Sequence, residues 1–143
     1  MEQTSFYTYM KLAGDDDFPL EEVTKRLQIE PTDAWRIGDK VRPNSPLERF
    51  YTCWLYKIGP ATSLNVDDVL KPLYEQFHSK VDVINALKEQ YHLSVQIDVV
   101  IEIEKGETPA LTISPAMSQF ASSIGADIDI DLYAYAYEEV EYD

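Results

Sequence analysis

The 143 residues include 12 basic and 26 acidic side chains, a net charge of −14. DNA, RNA and anionic membrane surfaces repel such a chain, so neither a nucleic acid nor a membrane is an expected partner. The length suits one domain with one core, and the apolar share of 45% is ordinary for a globular protein.

A single cysteine, Cys53, cannot form an internal disulfide. It lies in the apolar run Phe50-Tyr51-Thr52-Cys53-Trp54-Leu55-Tyr56, where a free thiol behaves as a small buried hydrophobe. Met1 to Ser5 has neither the basic segment nor the apolar core of a secretory signal. The apolar runs fall short of the ~20 residues of a membrane span. The expected compartment is the cytoplasm.

Phe6 to Leu12 alternates as a strand does. Gly14-Asp15-Asp16-Asp17 turns the chain, and Leu20, Val23 and Leu27 recur at helical spacing. Pro19 suits the first helical turn, and Asp17 favours its positive end. Pro31 stops that helix. Residues 31–49 hold Pro31, Gly38, Pro43 and Pro46 with Arg36, Lys40, Arg42 and Arg49, and read as a long basic excursion over the surface. Phe50 to Ile58 is the second predicted strand, ended by Gly59-Pro60.

Val66, Val69, Leu70, Leu73 and Phe77 form a helical stripe, with Asn65 placed to cap it and Pro72 awkward within it. Ser79 and Asp82 have capping-box spacing ahead of Ile84, Leu87 and Tyr91. Leu93 to Glu104 gives the clearest strand, apolar at every odd position. Ala110 to Ile113 is expected to pair back on it. Ser114-Pro115 starts a helix whose inner face is Met117, Phe120, Ala121 and Ile124, and Gly125 is placed as its C-terminal cap. Asp127 to Tyr137 is the last predicted strand. Ile128, Ile130, Leu132, Ala134 and Ala136 form one face, and Asp127, Asp129, Asp131, Tyr133, Tyr135 and Tyr137 the other.

This order predicts one α+β domain over residues 1–143, with an acidic tail from about 138. Its sheet is mostly antiparallel, with helices packed on one face. Each half starts with a strand, turns through Gly and acids, and returns through a short helix. Two ferredoxin-like half-units are one arrangement that satisfies the pattern.

Gly14-Asp-Asp-Asp, Leu27-Gln28-Ile29-Glu30-Pro31, Gly38-Asp39, Trp54 and Ile124-Gly125-Ala126-Asp127-Ile128-Asp129-Ile130-Asp131-Leu132-Tyr133 follow one another along the chain. In that order they resemble a bacterial family known as domain of unknown function 4279. The resemblance covers nearly the whole chain. It implies a cytosolic bacterial protein and supplies no catalytic or binding residues.

Chemistry is sparse. Asp127, Asp129 and Asp131 point the same way along a strand, about 6.5–7 Å apart. Such a ladder suits a solvated face, a basic partner or a hard cation; no metal and no cofactor are expected. Tyr133, Tyr135 and Tyr137 extend it, and Tyr favours protein interfaces. After Lys105 there is no Lys or Arg, while eight acids follow. His78 and His92 stand 14 positions apart without zinc-ligand spacing. There is no nucleophile elbow and no phosphate loop.

The leading expectation is a non-catalytic interaction protein. Its acid and tyrosine face would bind a basic protein, for example as an immunity or inhibitor protein masking a cationic toxin. The alternative is a small-anion module in which Trp35, Arg36, Arg42 and Trp54 line a pocket against the 31–49 loop. An exposed tyrosine-rich strand would also let two copies pair edge to edge as a homodimer.

Overall fold

The computed structural model describes residues 3–136. The chain runs β1 (Ser5–Gly14), α1 (Leu20–Leu27), β2 (Asp33–Trp35), β3 (Thr52–Ala61), α2 (Asp67–Phe77), α3 (Val81–Tyr91), β4 (Ser94–Ile103), α4 (Pro115–Ser123) and β5 (Asp127–Ala134). A single 3-10 turn, His78–Lys80, joins α2 to α3. The five strands form one sheet in the order β2-β3-β1-β4-β5. Every pairing is antiparallel except β4 with β5.

Period-2 alternation decides which side of the sheet is covered. On β1, Phe6, Thr8, Met10 and Leu12 are fully buried, and the residues between them are half-buried. On β4, Val95, Ile97, Val99 and Ile101 continue the same buried side. The helices bring Val23 and Leu27, Leu70, Leu73 and Phe77, Ile84 and Leu87, and Met117 and Phe120 down onto it in one core. The fold is therefore α+β, with a mostly antiparallel sheet and its helices on one face.

The two halves do not repeat one pairing plan. After α1 the chain reverses through β2, so β3 returns antiparallel to β1. After β4 it crosses back over α4, so β5 runs parallel to β4. The ferredoxin-like duplication suggested by the element order is absent from the pairings.

Several local expectations change. Within 31–49 the chain adds β2 to the sheet edge and closes an antiparallel bridge between Lys40 and Glu48. β3 begins at Thr52, leaving Phe50 81% exposed. It also passes through Gly59-Pro60 instead of ending there. Phe6 pairs with Ala61 and Thr8 with Ile58, so Tyr7 alone faces both Gly59 and Pro60. That bulge accommodates a proline without an N–H and a glycine at φ 108°.

Pro72 sits on the exposed side of α2, so the hydrogen bond it removes is lost at the solvent-facing side and not in the core. Asn65 Oδ1 accepts from the Asp67 amide at 3.1 Å, as its spacing suggests. The Ser79–Asp82 capping box does not form, because the 3-10 turn feeds directly into α3. Ala110 makes one bridge, to Asn65, and no strand. Gly125 follows α4 at φ 61°, as a C-terminal cap requires. No helix among the described residues is long and apolar enough to cross a membrane.

Candidate functional site

No helix among the described residues covers the second face of the sheet, and its side chains sort by charge. Toward β2 and β3 it is aromatic and basic. Lys57 Nζ lies 4.0 Å over the Tyr7 ring, and Arg49 lies 4.0 Å over Trp35. Lys11 Nζ is 6.0 Å from the Tyr51 ring centre. Toward β4 and β5 the same face is acidic. In register across the two strands are Gln96 with Asp127, Asp98 with Asp129, Val100 with Asp131, and Glu102 with Tyr133.

Asp98 is the unusual member. It is 2% exposed although it stands on the uncovered face. Gln96 Nε2 donates to its Oδ1 at 2.8 Å, while its Oδ2 is buried with no hydrogen-bond partner. Leaving such an acceptor unsatisfied costs about 1–3 kcal/mol. Burial holds the Asp98 carboxyl above its ordinary value; the Gln96 donor and Lys11 oppose the rise, and Asp129 and Asp131 add to it. The Tyr9 hydroxyl beside it is raised too, by burial first and then by the Asp98 charge. Asp98, Asp129 and Asp131 each offer one carboxylate oxygen, all within 4.8 Å of one another. Asp129 is exposed and Asp131 half-buried. The ion pairs among the described residues, Arg36–Asp17, Arg36–Glu21 and Lys40–Glu48, include none of these acids.

The ladder Asp127, Asp129, Asp131 and Tyr133 therefore lies on one face, as its alternation suggests. Tyr133 is 52% and Tyr135 48% exposed. Tyr137 and the acidic tail lie outside the described residues. Asp98 carries no signal of its own in the sequence, where it is an even-numbered residue on the side of β4 opposite the apolar odd positions. Only the β4–β5 register sets it beside Asp129.

The alternative pocket does not assemble. Trp35 pairs with Cys53 and Ala34 with Trp54, so neighbouring positions put the two tryptophans on opposite faces of the sheet. Trp54 is fully buried in the core and donates its Nε1–H to Thr24 Oγ1 at 3.0 Å. Arg36 is neutralised by Asp17 at 3.2 Å and Glu21 at 2.5 Å, and hydrogen bonding to Glu21 raises its pKa. Arg42 stands apart in a shallow depression with Val41, Pro43, Asn44, Ser45 and Leu47. The four residues occupy four separate places.

Two helix-end histidines and one buried thiol complete the groups that the sequence singles out. His78 Nδ1 lies 3.0 Å from the Tyr74 carbonyl at the end of α2, and His92 closes α3 in the left-handed region. Cys53 is fully buried, and burial pushes its thiol up to about 12. It should therefore resist a thiol reagent at pH 8 in the native protein and react at once in denaturant. Prompt labelling of the native chain would show that the edge strand β2 opens away from β3.

A one-faced α+β sheet with an acidic, tyrosine-flanked outer surface is what the fold defines. Residues 4–135 match the family model described as domain of unknown function (DUF4279), and the chain belongs to that family. No curated protein and no solved structure matches it.

Proposed function

We propose that this chain is a non-catalytic cytoplasmic interaction module, and that the β4–β5 half of its uncovered sheet face receives a basic protein surface. An inhibitor that masks a cationic protein, as an immunity protein does, is the concrete form. One observation carries the reading: Asp127, Asp129 and Asp131 stand on that face without an ion-pair partner among the described residues, next to half-exposed Tyr133. The basic residues of the same face, Lys11, Lys57 and Arg49, lie over aromatic rings. Complementary charge on a partner would steer encounter and fix orientation, and the tyrosines would supply contact area.

The same acids argue against pairing two copies along β5. Such a pairing would set one aspartate ladder beside another, a common way of protecting an edge strand.

The test compares wild-type protein with Asp127→Asn/Asp129→Asn/Asp131→Asn, each immobilised and exposed to a lysate of the source cells across a salt series. A basic protein should be retained stoichiometrically by the wild type and released by salt. Three lost charge contacts should weaken that capture roughly tenfold to a hundredfold. Equal retention with an equal salt slope would remove this face from the interaction.

A further inference from the structure

We propose that Asp98, Asp129 and Asp131 form a binding site for a hard divalent cation, with calcium as the best-fitting ion. The site does not rest on the protein-binding reading.

Three independent features converge. The first is the span of the oxygens. Ligands on opposite sides of calcium are about 4.8 Å apart, twice a Ca–O distance of about 2.4 Å. The three carboxylate oxygens, all within 4.8 Å of one another, fit inside that sphere as they stand. The second is Asp98 itself. It is 98% buried by its 2% exposure, and its Oδ2 has no hydrogen-bond donor. An acceptor held in that state beside two further carboxylates is suited to a cation, which compensates burial and like-charge repulsion together. The third is Gln96. Its Nε2 donates to Asp98 Oδ1 at 2.8 Å and reaches Asp129 Oδ2 at 3.4 Å. Turning that amide over puts Oε1 in the same place and adds a fourth oxygen.

The groups facing the cluster agree with this. From β1, Tyr9 brings a hydroxyl beside Asp98. Lys11, the cation of that strand, stands opposite Gln96 and does not ion-pair with any of the three acids. Asp129 is exposed, which leaves a side for the waters that complete a calcium shell.

The experiment uses the purified chain alone, stripped with a chelator. Calcium is titrated calorimetrically, and terbium is titrated by luminescence sensitised through the nearby tyrosines. One ion per chain should bind, with Kd on the order of 10⁻⁵–10⁻³ M for a half-open site. Calcium should displace terbium, and magnesium should compete less well. Asp98→Asn and Asp131→Asn should each weaken binding at least about tenfold, in line with the loss of one charged ligand. Asp98→Asn is nearly isosteric and removes a buried charge, so in chelator it should melt no lower than wild type. Loss of binding would then not be loss of fold. No saturable signal with about 10 mM calcium, far above the Kd range of such sites, would overturn the proposal. So would undiminished binding in Asp98→Asn, which would show diffuse attraction to surface acids. Since no partner is present, either result leaves the protein-binding reading standing.

Discussion

Trp54→Ala is expected to cost about 3–5 kcal/mol, the range for truncating a large buried aromatic. The indole is fully buried and meets Phe77 edge to face, with ring centres 6.2 Å apart. Phe77 in turn meets Tyr56 at 5.3 Å, so this one side chain joins β3 to α2. Its Nε1–H donates to Thr24 Oγ1 at 3.0 Å and ties β3 to α1 as well. Alanine would leave a cavity among three elements and strip Thr24 of that donor. Total stability of such a domain is about 5–15 kcal/mol, so the variant should be partly unfolded near 37 °C. Urea denaturation followed by far-UV circular dichroism measures the loss. Trp54→Phe should recover most of it, since it keeps the ring and gives up only the hydrogen bond. A loss below about 1 kcal/mol would mean that the core collapses around the gap, against the range for such truncations.

Trp54 also shows where sequence alone stops. Alternation along β1 and β4 is legible because one side of those strands is packed and the other is not, and both strands were placed from it. Alternation cannot say which of two aromatic residues on different strands share a face. Trp35 and Trp54 looked like neighbours in one pocket, yet a shift of one position in the β2–β3 register separates them across the sheet. In the same way it identifies a side without showing that anything covers it. Ile130 and Leu132 lie on the helix side of β5 but are 38% and 62% exposed. β5 is the sheet edge, and α4 packs only weakly against it. The Asp127–Asp131 ladder was legible because it lies within one strand. Its meeting with Asp98 was not, since it depends on a parallel pairing made through a helical crossover.

The sequence pattern ends a strand at Gly59-Pro60, but Gly59 lies inside β3, and that place makes Gly59→Ala the other severe substitution. The residue adopts φ 108°, a region that costs a residue with a side chain about 1–3 kcal/mol. An added Cβ would also stand 2.9 Å from Tyr7 Cβ, 3.0 Å from the Phe6 carbonyl oxygen and 3.1 Å from Tyr7 Cα. Two of these contacts are backbone, so no rotamer change relieves them and the paired strands must part. The combined cost should reach about 2–4 kcal/mol. Gly38→Ala supplies the control. Gly38 has φ 91° with nothing within 4 Å of the added carbon, so it carries the conformational cost alone. The difference between the two variants in denaturant isolates the crowding at the bulge. The effect should also reach the uncovered face. Tyr7, opposite the bulge, stacks on Tyr9 at 6.4 Å, and Tyr9 lies beside Asp98. Parting the strands at Gly59 should therefore disturb the tyrosine signals of that face, while Gly38→Ala leaves them unchanged. Equal costs, with both sets of signals unmoved, would mean that β1 and β3 yield freely at this point and that the bulge does not hold the acidic face in place.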